Sequence, residues 1–341
     1  MSPARPARAP EVSVLLPYRD AAETLGEALE STLADSSARI ELLAVDDGSE
    51  DAGPALLVEL ARRDARVRPS RTGGVGIVGA LEHARRQARA PLLARMDGDD
   101  VTLPGRFGAQ RRALEANDRL GAVGARVEAF AEGGALGGGM RAYVAWQNGL
   151  EGARAHRDAL FVEAPLCHPS TMIRADALEA VGGYRHGDFP EDYELWLRLD
   201  AGGWALDKVG ERLVRWRHTA GRATFTDPRY RPDAMRDVKG PYLAERLRGE
   251  ARPLAVWGAG RTGRRAMRAF EAHGLAAAKW VDIDPRKIGR TARGAPIVGR
   301  EALTRDEFTL VAVGARGARD EVRRWLLGRG FVEGDDFLCV S

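Results

Sequence analysis

The first hundred residues alternate between continuous apolar runs and segments that are apolar on one face only. The runs VSVLLP (12–17) and IELLAV (40–45) are typical of strands covered on both faces. Residues 21–34 place leucines four positions apart, which is the spacing of one helix face. The same reasoning predicts helices over 53–64 and 76–88 and a further strand over 91–96. This alternation predicts an α/β fold with a mostly parallel sheet built from right-handed crossovers.

The pattern becomes less regular from about residue 105 to residue 250. Helices are predicted over 106–117 and 191–201, with a glycine-rich loop at 133–139 between them. The segment LAVWGAGRTGRR then restarts the order of strand, glycine loop and helix, so we place a domain boundary near residue 250. The predicted division is a disordered tail over 1–10, a first domain over 11–240, a linker over 241–252 and a small α/β domain over 253–341.

Composition places the chain among ordinary globular proteins. Its 341 residues exceed the usual ~100–200 of one domain, and 44% of them are hydrophobic and 30% charged. Fifty-two basic residues face 49 acidic ones, for a net charge of +3, so no nucleic-acid partner is expected. Cys167 and Cys339 belong to no C-x-x-C pair, which argues against a disulfide framework or a zinc site.

The chain shows neither a signal peptide nor a membrane-spanning run. The N-terminus alternates Pro, Ala and Arg, and no apolar run reaches the ~18 residues of a spanning helix. We therefore expect a cytoplasmic protein. Peripheral association with the inner face of a membrane stays open, because it needs no spanning segment.

The segment ARMDGDD (94–100) puts a dense negative charge at the end of a predicted buried strand. Two carboxylates two residues apart, as in Asp97 and Asp99, point the same way from an extended chain, and Mg²⁺ or Mn²⁺ needs one or two of them plus phosphate oxygens. The alternative is a solvated turn without a ligand. An EF-hand is excluded, because Thr102 and Gly108 stand where its glycine and its glutamate belong.

Five motifs in order carry a resemblance to a known family: VSVLLPYRD, AVDDGSED, ARMDGDD, HPSTMIR and PEDYELWLRL. Over residues 10–226 the chain resembles inverting GT-A glycosyltransferases of family 2, which implies a GT-A domain and a nucleotide-sugar donor at the strand ends. The resemblance implies that Asp99 binds the metal ion. The other residues that it places around the donor are Pro17, Tyr18 and Arg19 beside the base, Asp46 and Asp47 at the base, and Asp97 near the ribose and the metal.

The resemblance also supplies a general base. Inverting transfer is a single displacement, so one group must remove the proton of the acceptor hydroxyl. The family's second acid of the E-D pair corresponds to Asp192, while Glu191 would orient the acceptor. The same residues are equally typical of a plain helix start, where acids in the first turn are favoured by the helix dipole.

Basic residues after this helix are further candidates for the diphosphate. Arg217 and Arg222 suit phosphate oxygens because a guanidinium offers paired donors. His218 lies in an H-x-x-G-R pattern that resembles the family's closing loop, and we weigh it as a metal or diphosphate contact against an ordinary hydrogen-bonded histidine. His168 is expected to be structural.

The second domain contains G-x-G-x-x-G at Gly258, Gly260 and Gly263, between a predicted strand and a predicted helix. Asp282 or Asp284 follows about 20 residues later, where a ribose-binding acid belongs. Residues 251–341 resemble Rossmann-like domains that bind a nucleotide, NAD-like or sugar nucleotide. The glycines alternatively serve close packing in a structural module.

Three functions remain in competition. The leading one is a metal-dependent transferase that moves a sugar from a nucleotide diphosphate to a saccharide or lipid-linked acceptor, in bacterial surface or exopolysaccharide assembly. The second is a nucleotide-dependent oxidoreductase or sugar-nucleotide modifier that works through the C-terminal domain, although no catalytic Lys, Tyr or His follows its glycine motif. The third is a non-catalytic sensor of sugar nucleotides.

Overall fold

The computed structural model describes residues 9–219 and 226–341. Arg222, and all but the end of the predicted tail over 1–10, lie outside these residues. Fourteen strands are found in the described part: β1 (Val12–Tyr18), β2 (Ile40–Asp46), β3 (Val67–Arg71), β4 (Leu92–Arg95), β5 (Val101–Thr102), β6 (Leu120–Ala131), β7 (Met172–Arg174), β8 (Ala205–His218), β9 (Leu254–Trp257), β10 (Ala277–Val281), β11 (Thr291–Ala292), β12 (Ala295–Val298), β13 (Phe308–Val311) and β14 (Phe337–Cys339).

The helices lie between these strands. They are α1 (Ala22–Ala34), α2 (Gly53–Arg63), α3 (Gly76–Gln87), α4 (Arg106–Glu115), α5 (Gly138–Asn148), α6 (Gly152–Ala159), α7 (Ala175–Ala180), α8 (Glu191–Ala201), α9 (Pro232–Asp237), α10 (Lys239–Arg246), α11 (Arg261–Glu271) and α12 (Ala318–Gly328). Short 3₁₀ turns cover His168–Ser170, Pro228–Tyr230 and Arg300–Ala302. None of the helices in the described ranges combines the length and the apolar composition needed to cross a bilayer.

The chain divides into two compact units. The first comprises residues 9–153, 165–187 and 202–219 with Thr226, and the second comprises 154–164, 188–201 and 227–341. The predicted division assigns 154–164, 188–201 and 227–240 to the N-terminal domain, whereas their contacts group them with the C-terminal part of the chain. The predicted linker over 241–252 contains most of α10.

The first unit is built on an eight-stranded sheet with the order β3-β2-β1-β4-β7-β6-β8-β5. The strands β3, β2, β1 and β4 are parallel to one another, and β6 is parallel to β8; β7 and β5 pair antiparallel to their neighbours. Every residue of β1 and β2 is buried, as expected for apolar strands that are covered on both faces. The mostly parallel sheet predicted from the sequence is confirmed.

Two features of this sheet were not predicted. The strand β3 has the sequence VRPSR, which lacks an apolar run because it is an edge strand with alternating exposure; a proline is tolerated there. The long strands β6 and β8 pair over most of their length, with register shifts near Ala125 and Arg126. β8 carries many charged residues among its apolar ones, and β6 is rich in Ala and Gly, so periodicity alone did not reveal these strands.

The second unit is built on a six-stranded sheet with the order β11-β12-β10-β9-β13-β14. All pairs are parallel except β11 with β12. The chain leaves β9 for β10 on one side and later returns to β13 on the other side. The carboxyl ends of β9 and β13 therefore lie at the point where the strand order reverses, which is where open α/β sheets form a crevice.

Candidate active site

Three neighbouring parallel strands of the first sheet end in polar residues. The strands β2, β1 and β4 lie side by side, and the register pairs Tyr18 with Asp46. The amide of Asp47 donates to the carbonyl oxygen of Tyr18 over 2.9 Å, which ties two of the strand ends together. Because ligands of such sheets bind outside the carboxyl ends of the strands, this edge is the candidate active site.

Asp47, the predicted nucleobase contact, organises the turn that precedes α3. Its carboxylate is buried and accepts hydrogen bonds from the Thr72 hydroxyl at 2.6 Å and from the amides of Val75 and Gly76 at 2.8 Å each. These bonds fix the wall of the crevice beside β2. Contact between Asp47 and a base stays a prediction.

Asp46 and Tyr18 form a buried polar pair of strand ends. Asp46 accepts from the amide of Ser49 at 2.8 Å and lies 3.1 Å from the guanidinium of Arg71. Burial, assisted by the negative charge of Asp46, raises the pKa of Tyr18 well above its ordinary value. The phenol of Tyr18 is therefore neutral at physiological pH.

The residues on either side of Tyr18 differ in exposure. Pro17 is buried within β1 and pairs with Val45, whereas the side chain of Arg19 is 57% exposed and lies 3.5 Å from Asp20. Of the predicted base contacts in this turn, Arg19 is thus the most accessible charge. Its part in donor binding stays a prediction.

The acidic turn, defined here as residues 97–100, groups three carboxylates. Oxygen atoms of Asp97, Asp99 and Asp100 all lie within 4.8 Å of one another. The Thr24 hydroxyl donates to the carbonyl oxygen of Gly98 over 2.9 Å, which holds the turn against α1. Carboxylate oxygens at this spacing fit a hard divalent cation such as Mg²⁺ or Mn²⁺. Asp100, which is fully buried, is the third acid of this segment and was not predicted as a metal ligand.

Buried arginines surround the acidic turn. Arg95 is ion-paired with Asp97. Arg106 is fully buried and donates to the carbonyl oxygens of Arg95 at 2.6 Å and Pro169 at 2.7 Å. Burial lowers the pKa of Arg106 to about 10, against the opposing attraction of Asp100, so the guanidinium stays charged at neutral pH. These cations offset part of the mutual repulsion of the three aspartates.

Arg217, predicted as a diphosphate clamp, is bonded to the protein itself. Its backbone amide donates to Asp100 over 2.7 Å, and its side chain donates to the carbonyl oxygen of Asp99 over 2.6 Å and is ion-paired with Glu27 and Glu132. Only 3% of the residue is exposed. The observed contacts make Arg217 an anchor of the acidic turn, and phosphate binding by this residue stays a prediction.

The two histidines are both largely buried. His218 ends β8, and its ring lies edge-on to Trp216 with centroids 4.3 Å apart. His168 begins a 3₁₀ turn, where its carbonyl oxygen accepts from the Thr171 hydroxyl at 2.7 Å and its ring lies 5.7 Å from that of Tyr184. Metal or diphosphate contact by His218 and a structural role for His168 both stay predictions.

The predicted base and its neighbour begin α8, in the second unit. Glu191 is buried, lies 3.6 Å from the guanidinium of Arg229 and accepts a 3.4 Å hydrogen bond from the Tyr230 hydroxyl. Asp192 is half-buried, and its carboxylate accepts from the next amide, that of Tyr193, over 2.7 Å. Of the two acids, Asp192 is therefore the one that presents part of its side chain to solvent.

Comparison with known proteins identifies a family for the part of the chain that contains the acidic turn. Residues 13–182 match the family described as Glycosyl transferase family 2. The chain is a glycosyltransferase with a family 2 domain. The match spans β1 to α7 and so includes the acidic turn, while α8 and the C-terminal sheet lie beyond it.

Several curated glycosyltransferases are similar over most of the N-terminal part of the chain. The protein EpsE of Bacillus subtilis (strain 168) is 28% identical over 226 residues, which cover 64% of this chain and 77% of EpsE. The amylovoran biosynthesis glycosyltransferase AmsE of Erwinia amylovora is 27% identical over 210 residues, which cover 60% of this chain and 75% of AmsE. A UDP-Gal:alpha-D-GlcNAc-diphosphoundecaprenol beta-1,3-galactosyltransferase of Escherichia coli is 26% identical over 211 residues, or 61% and 74% of the two chains.

Among solved structures, TarS 1–349 of S. aureus in complex with UDP-GlcNAc resembles this glycosyltransferase in fold. The TM-score is 0.55 at 14% sequence identity, and the alignment covers 70% of this chain and 66% of that one. At this identity the likeness concerns the fold alone. It confirms the GT-A architecture predicted from the motifs.

The glycine motif of the second unit borders a cavity of about 360 Å³. The cavity is lined by residues that follow β9, β10 and β13, including Gly258, Gly260, Gly263, Asp282 and Trp325. The three glycines and Asp282, which were predicted to bind a nucleotide together, thus line one cavity, and nucleotide binding by them stays a prediction. Asp284, the alternative acid, is not among the lining residues; it is ion-paired with Arg286.

The three glycines do not play the same part. A methyl group on Gly263 would lie 1.9 Å from the carbonyl oxygen of Gly258, and one on Gly258 would lie 2.3 Å from the carbonyl oxygen of Ala312. Packing therefore requires both of these glycines. A methyl group on Gly260 would meet nothing within 4 Å, so close packing does not explain this glycine.

Asp282 is already bonded within the protein. Its carboxylate accepts hydrogen bonds from the amides of Ala259 at 3.0 Å and Asp284 at 2.9 Å, and it lies 3.0 Å from the ammonium group of Lys287. The carboxylate thereby connects the glycine loop to the turn after β10. Ribose binding by Asp282 would compete with these bonds and stays a prediction.

Sequence reasoning missed the partners that hold the acidic turn. Glu27 and Glu132 come from α1 and the end of β6, far from residues 97–100 in sequence, whereas Arg106 begins α4 shortly after the acidic turn. A cation buried in the first turn of a helix gives no local signal, since Arg106 looks like any surface arginine. Asp100 did give a local sequence signal, because it is the third acid of the same short turn.

Proposed function

We propose that this glycosyltransferase is an inverting, metal-dependent enzyme that moves a sugar from a nucleotide-diphosphate sugar to an acceptor hydroxyl. The acceptor class is a saccharide or lipid-linked saccharide in bacterial surface or exopolysaccharide assembly. The names of the relatives from E. amylovora and E. coli support this class. A lipid-linked acceptor would be met by peripheral association with the cytoplasmic face of the membrane.

One observation carries the proposal: the three carboxylates of the acidic turn lie within 4.8 Å of one another at the carboxyl edge of the first sheet. Asp99 and Asp97 would hold Mn²⁺ or Mg²⁺, with His218 as a further candidate ligand. When bound, such an ion neutralises the charge that develops on a departing diphosphate. Asp46, Asp47 and the Pro17–Arg19 turn would form the side of the crevice that receives the nucleoside.

Asp192 is the proposed general base. As the bond from the anomeric carbon to the diphosphate breaks, the acceptor oxygen forms its bond from the opposite face and its proton passes to the Asp192 carboxylate. Asp192 suits this task better than Glu191, because Asp192 is partly exposed whereas Glu191 is buried against Arg229. Glu191 remains the proposed orienting group for the acceptor side.

The cavity of the second unit is proposed as a nucleotide site beside the main activity. Gly260, which packing does not explain, borders the cavity, and Arg261 begins α11 there with no acidic residue in the first helical turn. Amide groups at a helix N-terminus and a nearby guanidinium favour a phosphate group. A ribose hydroxyl, whether from an NAD-like ligand or from a sugar nucleotide, would compete with the bonds that Asp282 already makes.

The main proposal is tested by transfer assays on the whole chain. A panel of nucleotide sugars with a polyprenyl-diphosphate saccharide is incubated with Mn²⁺, Mg²⁺ or EDTA, and the anomeric configuration of the product is read by NMR. Asp192→Asn is expected to lower kcat by about 10²- to 10⁴-fold, while calorimetry shows unchanged binding of Mn²⁺ and donor. Asp188→Asn, an exposed acid three residues before α8, is the matched control and keeps full activity.

Retained transfer in Asp192→Asn would refute the assignment of the base. Product with retained configuration would refute inversion. Turnover that disappears in Gly260→Ala or Asp282→Asn while Asp99→Asn stays active would move the activity to the second unit and favour an oxidoreductase. Donor binding without any turnover would favour a sensor.

A further inference from the structure

The helix that carries the proposed base is buried on nearly all sides. Of the 11 residues of α8, all but three are buried, and these three are Asp192, Asp200 and Ala201. The buried set includes the charged residues Glu191, Glu194 and Arg198. Because an unpaired buried charge is very costly, the partners of these side chains determine where the helix sits.

The segment 227–246 supplies partners for the first two turns of α8. Arg229 and Tyr230 contact Glu191, as described above. The hydroxyl of Tyr242, on α10, donates to the carboxylate of Glu194. Arg198 donates to the same carboxylate from within the helix, at 2.9 Å and 2.8 Å. The helix is therefore held in part by Tyr242, a residue of the predicted linker over 241–252.

Lys239 connects α8 to the C-terminal sheet. This lysine is 4% exposed, and its ammonium group donates to the carbonyl oxygens of Val162 at 2.9 Å and Val340 at 3.4 Å. It lies 5.8 Å from the centre of the ring of Tyr193, the third residue of α8. Val340 directly follows the last strand, β14. One buried ammonium group thus joins the base helix, the segment 154–164 and the end of the C-terminal sheet.

The segment 154–164 reinforces the same connection. The Tyr193 hydroxyl donates to the carbonyl oxygen of Leu160 over 2.7 Å, and Arg157 lies 3.5 Å from Asp200 at the other end of α8. Arg154 donates to the carbonyl oxygen of Glu333, near β14, over 2.7 Å. Both ends of the helix are therefore tied to a body that includes the C-terminal sheet.

We infer that residues 227–341 position the catalytic helix, and that Lys239 and Tyr242 are positioning residues for Asp192. The inference rests on the proposed function for the role of Asp192. It gives the C-terminal part of the chain a task in sugar transfer that requires no ligand in its cavity. If α8 shifted, the distance between the Asp192 carboxylate and the acceptor hydroxyl would change. Donor binding would stay intact, and the chemical step would be slower.

The test uses three variants of the whole chain. Lys239→Met keeps the length of the side chain and removes the ammonium group, and Tyr242→Phe removes a single hydroxyl. Lys279→Met is the matched control, since Lys279 donates to the carbonyl oxygen of Ala302 at 2.8 Å and pairs with Glu307 in the same unit, without touching α8. For each variant, kcat, the KM of the donor and hydrogen exchange of the amides of residues 191–201 are measured.

Lys239→Met is expected to lower kcat by about 10- to 100-fold, and Tyr242→Phe by a smaller factor, with the KM of the donor within about twofold of wild type. In both variants the amides of α8 exchange faster, while those of β9 and β13 do not change. The control leaves kcat and α8 exchange at wild-type values.

The inference is overturned if α8 exchange is unchanged in Lys239→Met and Tyr242→Phe, or if the control lowers kcat equally. Should Lys239→Met fail to fold, Tyr242→Phe alone decides. Failure of the proposed function gives a different result. Full activity of Asp192→Asn would refute the assignment of Asp192 as the base, while the exchange data would still report on how α8 is held.

Discussion

The carboxyl edges of the two sheets lie at the ends of parallel strands in both cases, but they differ in how closely they group their acids. The edge of the first sheet groups Asp97, Asp99 and Asp100 within 4.8 Å, with buried arginines behind them. The edge of the second sheet has Asp282, which is bonded to two amides and a lysine. Carboxylates as close as those of the first edge repel one another, and a divalent cation relieves that repulsion. The comparison indicates that a close group of strand-end carboxylates fits a cation site, whereas a single strand-end acid can serve the protein's own hydrogen bonds.

The largest effect that would sharpen this comparison is expected at the first edge. Asp99→Asn removes one proposed ligand and one negative charge, so Mn²⁺-dependent transfer should fall by about 10³-fold, which corresponds to about 4 kcal/mol of lost stabilisation. Initial rates are measured over a Mn²⁺ titration, and Mn²⁺ affinity is measured independently by electron paramagnetic resonance. Asp118→Asn alters an acid whose side chain is 99% exposed in the same unit and serves as the control. Unaltered Mn²⁺ affinity in Asp99→Asn would contradict the metal site.

At the second edge, substitutions of two glycines distinguish a glycine that packing requires from one that packing does not explain. Gly263→Ala should lower the free energy of unfolding by about 1–3 kcal/mol, because its methyl group would overlap the carbonyl oxygen of Gly258. Gly260→Ala should leave that free energy within about 0.5 kcal/mol of wild type. Urea unfolding followed by circular dichroism gives both values. Equal destabilisation by the two substitutions would show that packing requires Gly260 after all.

The bonds of Asp282 can be tested by removing its charge. Asp282→Asn keeps the shape of the side chain but weakens its attraction to Lys287, which should cost about 1–2 kcal/mol in the free energy of unfolding. The same urea titration measures this cost, with Asp306→Asn, an exposed acid of the same unit, as the reference. An unchanged free energy would mean that Asp282 is not needed by the protein and is available to a ligand.

The last expected effect concerns the pH dependence of stability. Burial lowers the pKa of Lys239 from 10.5 to about 8, in spite of the attraction of Glu163. Between these two values the unfolded chain binds more protons than the folded one, so this lysine makes stability rise with pH from about 8 to 10.5. Lys239→Met removes that contribution. Urea midpoints at pH 7, 8, 9 and 10 should therefore rise more steeply for wild type than for the variant, and parallel curves would contradict the lowered pKa.

The elements that the sequence predicted well are those with a single consistent period. β1 and β2 are apolar throughout because both faces are buried, and α1 shows its buried face at Leu25 and Leu29. The predicted bounds of these strands gave the positions of their carboxyl ends. The sequence could therefore predict that the acidic turn and Asp46 lie at the same edge of the sheet. The glycine loop and Asp282 were predictable for the same reason, since strand, loop and helix follow one another directly.

What the sequence did not indicate depends on contacts between distant residues. Arg217 was interpreted as a phosphate clamp because a guanidinium near an active site suits phosphate, yet its partners Glu27 and Glu132 are far away in sequence. The interval between residues 240 and 252 looked like a linker because it is polar, although Lys239 and Tyr242 beside and within it contact α8 and its surroundings. Polar segments that pair with buried charges do not show the apolar period on which the predictions rest.

The contacts that hold α8 determine where this chain can be recombined with its relatives. A crossover placed at residue 226 would keep the complete family 2 match in one parent and give α8 the Arg229, Tyr242 and Lys239 equivalents of another. Such a chimera would keep the acidic turn of one parent intact, while α8 and the proposed base Asp192 would be held by contact residues from the other parent. Exchanging residues 154–164, 188–201 and 227–341 together is the swap that keeps each parent's bonding network whole.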